Sequence, residues 1–156
     1  MQKRLLFLAV AVFFGAATSV VLVVLIGWQQ IRQMEQTIIQ EAAQRGLTNV
    51  TETAVYAGEK EYRVIRGRDE QGREKWVWFN DDEWYETETD GLLTAEDAEQ
   101  IARRLYSESR LVRLTPGLFK QRPVWVVLLQ ELPTQQYVYL YLQMTDGVVI
   151  RELKLH

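Results

Sequence analysis

The sequence predicts an α+β protein: an N-terminal transmembrane helix followed by two lobes, each a helix packed on an antiparallel sheet. Three observations carry this. An uncharged apolar run opens the chain at Leu5 to Trp28. Two amphipathic helical patterns follow, one over residues 29–45 and one opening at Thr94. Behind each come short stretches that alternate apolar with polar residues between glycine-bearing turns.

The apolar run, "LLFLAVAVFFGAATSVVLVVLIGW", holds 24 residues without a charge. As a helix it measures about 36 Å at roughly 1.5 Å per residue, enough to cross a bilayer with some tilt. Thr18 and Ser19 are tolerated in its middle because their hydroxyls bond back to the helix backbone. Trp28 stands where an interfacial aromatic anchor belongs. The competing reading is a cleaved signal peptide, with Leu5 to Phe14 as its apolar core and Gly15-Ala16-Ala17 as its cleavage site. Against it, the apolar run continues from Val20 to Ile26, where a signal peptide turns polar. By the positive-inside rule Lys3 and Arg4 keep the N-terminus in the cytoplasm and send residues 29–156 outside. Arg32 and Arg45 bring the basic count near the two ends close to a tie, which the signal-like layout breaks.

Residues 1–28 are therefore cytoplasmic tail and span, and the first lobe covers residues 29–91. Ile31, Met34, Ile38 and Ala42 recur at helical spacing, with Arg45 in the last turn and Gly46 as the C-cap. Strands follow at "TAVYAG", "EYRVIRG", "REKWVWF" and "EWYETE". Between the second and third, Asp69-Glu70-Gln71-Gly72 reads as a hairpin loop. In "WVWF", Trp76 and Trp78 take one side and Val77 and Phe79 the other.

The second lobe covers residues 92–156. Thr94 to Asp97, "TAED", is a capping box, opening a helix whose Ala98, Ile101, Ala102 and Leu105 form one apolar face. Strands resume at "RLVRL", turn at Pro116-Gly117, and continue as "PVWVVLL", "QQYVYLYLQM" and "VVIRELKL", the last two joined at Thr145-Asp146-Gly147. Each half thus reads helix, then antiparallel strands. A weak repeat of about 60 residues is too small for a large core of its own, so the lobes are expected to pack together.

In "YVYLYLQM" the alternation is strict. Val138, Leu140, Leu142 and Met144 take one face, expected to lie under the helix, while Tyr137, Tyr139 and Tyr141 take the other. Trp125 on the neighbouring strand is expected beside the tyrosines. This stripe is either buried between the lobes or offered to a protein partner, since exposed aromatic patches mark interfaces.

Charge narrows the choice of partner. Residues 29–93 carry 14 acids and 8 bases, and residues 94–156 carry 7 acids and 8 bases. An acidic exterior argues against nucleic acid, or a polyanionic wall polymer, as a partner held by bulk electrostatics. Cysteine is absent, so no disulfide framework exists.

The layout, with "YAGEKEYRVIRGRDEQG" in the first half and "DGLLTAEDA", "PVWVVLL" and "TDGVVIREL" in the second, resembles the TseB-like (YpmB-like) cell-wall elongation regulators of Gram-positive bacteria. The resemblance covers nearly the whole chain and rests on glycine turns, strand aromatics and a helix start in the right order. It implies a single-pass membrane protein with two extracytoplasmic lobes related to the PepSY and cystatin folds. It also implies a non-enzymatic regulator that contacts a class B penicillin-binding protein. No catalytic residue carries over, and no cofactor is implied. The role often proposed for PepSY-related domains, peptide binding or peptidase inhibition, is the alternative.

Chemistry read from the residues themselves points the same way. The lone histidine is His156, cysteine is absent, and the serines are Ser19, Ser107 and Ser109, which leaves no triad, no Cys/His zinc spacing and no phosphate-binding glycine loop. The remaining candidate is "FNDDEWYETETDG", Phe79 to Gly91. Asp81, Asp82 and Glu83 lack the spacing of a calcium loop. Glu86 and Glu88 alternate with Thr87 and Thr89 as on the exposed face of an edge strand, where acids discourage aggregation. The stretch is expected to be a solvated hairpin and linker. The Asn-Val-Thr sequon at Asn49 is without meaning in a bacterial protein.

Overall fold

The computed structural model describes residues 36–155. The predicted span at residues 5–28, and the start of the helix after it, lie outside the described residues. Among the described residues no helix is long and apolar enough to cross a membrane. The chain divides between Glu41 and Ala42, and the second unit, Ala42–His156, is compact. Helix α1 runs over residues 36–44. It ends as the sequence requires, with Gly46 at φ 82° and the Leu47 amide donating to the Ala42 carbonyl at 3.0 Å.

The second unit carries two antiparallel sheets and a helix, an α+β arrangement. The first sheet has the order β1 (Thr48–Ala57), β2 (Glu61–Arg68), β3 (Glu74–Phe79), β4 (Trp84–Glu88). Helix α2 (Ala95–Leu105) follows. The second sheet has the order β5 (Ser109–Phe119), β6 (Arg122–Glu131), β7 (Tyr137–Gln143), β8 (Val149–Leu155). Both are meanders, so sequence neighbours are sheet neighbours throughout.

Local chemistry sets the boundaries. At the β2–β3 turn the Asp69 carboxylate accepts from the Gln71 and Arg73 amides at 3.0 and 2.9 Å, with Gly72 at φ 81°. At the start of α2 the Thr94 hydroxyl accepts from the Asp97 amide at 3.2 Å, and the Asp97 carboxylate accepts from the Thr94 amide at 3.0 Å. This is the capping box read from "TAED". Gly147, φ 73°, closes the β7–β8 turn; a Cβ there would stand 2.5 Å from Ile101 Cδ1. Glycine is needed there for the backbone, and the Ile101 side-chain end fills the space that a Cβ would take.

One turn differs from expectation. Pro116 and Gly117 lie inside β5, opposite Trp125 and Val124, and the chain reverses at Lys120 and Gln121, both at positive φ (49° and 63°). The reason is positional. β5 is an edge strand, where a proline without an N–H is tolerated. Gly117 is required by its neighbours, because a Cβ would meet the Tyr56 ring at 2.8 Å and Val126 Cγ2 at 2.9 Å.

In the first sheet Ala54, Tyr56, Tyr62, Val64, Trp76 and Trp78 share one face, and this face joins the main core. Ile65, Val77 and Phe79 fill the opposite face and are buried, with the Arg45 guanidinium 4.7 Å from the Trp84 ring centroid at its edge. In the second sheet Val127, Leu129, Val138, Leu140 and Leu142 are fully buried on the face that packs with Ala98 and Ala102 of α2. The first sheet grips the second along its β5 edge, with Tyr56 against Gly117 and Val126 on one face and Trp76 against Trp125 on the other.

Candidate interaction face

The register of β6 and β7 decides which side chains share the tyrosine face. Val126 is opposite Tyr141, Leu128 opposite Tyr139 and Gln130 opposite Tyr137, while Trp125 is opposite Leu142. Trp125 therefore lies on the aliphatic face, not beside the tyrosines as expected from sequence. Period-two alternation places residues within one strand, but the offset between strands comes from the hairpin, and here it moves Trp125 to the other side. Its indole N–H donates to the Leu93 carbonyl at 2.8 Å, and its ring is 3% exposed. It is a joint between β6 and the entry to α2.

The tyrosines are graded along β7. Tyr141 is 9% exposed and belongs to the core, with Phe119 at 5.5 Å between ring centroids and the Arg151 guanidinium 5.5 Å from its own centroid. Tyr56 of the first sheet is its neighbour. Burial, and secondarily this tyrosine pair, pushes the Tyr56 phenol up to about 12. Tyr139 is half-buried. Tyr137 is 41% exposed, and opposite it on β8 stands Leu155, 50% exposed, with Leu153 opposite Tyr139. The stripe thus divides: one end is buried against the first sheet, and the other is an open aromatic and aliphatic surface.

The acidic stretch forms the β3–β4 turn and the β4 edge, and its carboxylates diverge to separate cations. Asp81 pairs with Arg63 at 2.6 Å, Glu86 with Lys75 at 2.9 Å and Glu88 with Arg73 at 3.0 Å. Glu83 accepts from the Lys60 ammonium and the Tyr62 hydroxyl, both at 2.5 Å. The lysine, and then the tyrosine, hold the Glu83 carboxyl below the usual glutamate range. Burial first, then the Glu83 contact, raises the Tyr62 phenol. Glu83 and Glu86 each hold a second partner besides a lysine, the buried Tyr62 hydroxyl for Glu83 and the half-buried Trp84 indole N–H, donating at 3.2 Å, for Glu86, roles that sequence alternation did not signal. Beside Glu83 lies a cleft of about 290 Å³ lined by Glu59, Lys60, Tyr62, Tyr85, Phe119 and Gln121.

The chain matches no protein-family model. No curated protein matches it by sequence. Among solved structures it is similar to the YpmB protein from Bacillus subtilis, with a TM-score of 0.67 at 19% sequence identity over 77% of this chain and 96% of that one. At that identity the likeness is one of fold, and it agrees with the YpmB-like resemblance carried by the sequence motifs.

Proposed function

We propose that this chain is a membrane-anchored extracytoplasmic regulator of cell-wall elongation that acts by binding a class B penicillin-binding protein. The observation that carries the reading is the open end of the second sheet, where Tyr137, Leu153 and Leu155 stand exposed beside Tyr139 on a rigid strand pair. Aromatic residues on rigid elements offer large contact area at small entropic cost, and a few such anchors dominate many interfaces. The wall-synthesis role rests on the sequence motifs, and the YpmB-like fold supports it. In this reading residues 1–28 anchor the chain with its N-terminus in the cytoplasm. Residues 29–91 and 92–156 act outside as two PepSY/cystatin-like lobes without catalysis, cofactor, metal or nucleic acid. Crosslinking in whole cells, followed by mass spectrometry of co-purified membrane proteins, tests it. Recovery of a class B penicillin-binding protein is the expected result, and its absence from every crosslinked product would remove the reading.

A second reading, a peptide-binding or peptidase-inhibiting PepSY module, is favoured by the cleft between Tyr62, Tyr85 and Phe119. Clefts with a few fixed polar groups are where peptides and small ligands seat. Substitution of Tyr85 by alanine separates the two, because it should leave capture of the penicillin-binding protein intact if the first reading holds.

A further inference from the structure

The strand positions that share the tyrosine face carry four arginines and not one carboxylate. Arg110 and Arg113 on β5 and Arg151 on β8 flank Leu128, Tyr137, Tyr139, Leu153 and Leu155, and Arg122 stands at the far end of β6, opposite Phe119. Glu131 and Glu152, the acids of these strands, fall on the opposite face by alternation. The contrast with the first sheet is sharp. There Lys60, Arg63, Arg66, Arg73 and Lys75 each hold a carboxylate within 4.0 Å. Among the described residues Arg110, Arg113 and Arg151 have no ion-pair partner; Arg110 donates to the Gln130 side-chain oxygen at 2.8 Å, and Arg151 lies over Phe119 and Tyr141.

We infer that this face docks an acidic, aliphatic segment of a protein partner, its carboxylates meeting Arg110, Arg113 and Arg151 and its apolar side chains resting on Tyr137, Tyr139, Leu153 and Leu155. Guanidinium groups suit the occupant because their planar fork pairs with a carboxylate through two hydrogen bonds. An anionic bilayer fits less well. The acid-rich residues 29–93, 14 acids against 8 bases, would be repelled by a charged plane, whereas a segment confined to the face escapes them. The inference deepens the proposed binding role and rests on it.

The test uses the full chain in a neutral detergent, with Arg110→Glu/Arg113→Glu, both positions exposed and outside the core. Three titrants are used: a purified class B penicillin-binding protein, a fluorescent peptide of alternating glutamate and valine, and glycerol phosphate. Binding of the penicillin-binding protein is expected to weaken at least tenfold in the variant, roughly 1.4 kcal/mol or more, and to lose most of its salt dependence. The peptide should bind the natural chain saturably and the variant not at all. If the penicillin-binding protein binds natural chain and variant alike with the same salt response, the inference is overturned while the proposed function stands. If that protein binds neither but the peptide discriminates between them, the proposed function falls and the acidic docking face stands. Glycerol phosphate binding, with no binding of the peptide, would assign the face to lipid headgroups and overturn the inference.

Discussion

Trp76 on β3 and Trp125 on β6 meet edge to face, with ring centroids 5.8 Å apart and planes at 89°. The pair joins the two sheets on one side of β5, as Tyr56 and Tyr141 join them on the other. Aromatic pairs of this geometry contribute beyond their buried area. Two aromatic contacts thus tie sheets that are separate in hydrogen bonding into one core.

Trp125→Ala is expected to destabilise the chain by about 3–5 kcal/mol, as truncation of a core aromatic does. Trp125→Phe keeps a ring but loses the donor to Leu93, which adds about 1 kcal/mol for the missing bond. Urea unfolding reads both. A Trp125→Ala protein with natural stability but no partner binding would make Trp125 a docking residue after all.

The tyrosines should separate by stability in the order of their burial. Tyr137→Ala is expected to change unfolding free energy by no more than about 0.5 kcal/mol, and Tyr141→Ala to cost about 3–5 kcal/mol. Tyr139→Ala falls between. Equal costs at all three positions would contradict the graded burial.

Acid should loosen the first sheet. The ammonium of Lys60 holds the Glu83 carboxyl low, Arg66 holds Glu74 low and Lys75 holds Glu86 low. A carboxyl whose folded pKa is depressed adds stability above its unfolded pKa and loses it as pH falls through the folded one. Stability should therefore hold down to about pH 4.5, the ordinary glutamate value, and fall below it. Glu83→Gln should flatten that fall, measured as the urea midpoint across a pH series; an unchanged slope would detach Glu83 from the effect.

Two glycines separate strain from crowding. Gly72 and Gly147 both have positive φ, but a Cβ at Gly72 meets nothing within 4 Å while one at Gly147 meets Ile101 at 2.5 Å. Gly72→Ala should cost about 1 kcal/mol, the strain of an L residue in that region, and Gly147→Ala that strain plus the cost of turning the Ile101 and Leu93 side-chain ends aside. Thermal melts that rank them the other way would mean that α2 yields easily.

Much of the fold was legible because it is local. The capping box at Thr94, the glycine turns at Gly72 and Gly147, and the alternation in "WVWF" and "YVYLYLQM" depend on neighbours in sequence. What depends on register was not. Trp125 lies on the aliphatic face because its partner is Leu142, a pairing fixed only when β6 and β7 come together. The true turn at Lys120 and Gln121 has no glycine, while Pro116-Gly117 imitates one and instead serves an edge strand and the Tyr56 ring. The carboxylate-free arginine face likewise exists only after four strands are set side by side.

The most direct measurement is capture of a class B penicillin-binding protein by the full chain carrying Tyr137→Ala/Tyr139→Ala, with urea unfolding run on the same preparation. Each anchor lost from the centre of an interface costs about 2 kcal/mol or more. Capture should therefore fall well over tenfold while the variant still unfolds cooperatively. A variant that remains folded and captures the protein as well as the natural chain does would contradict the assignment of this face to partner binding.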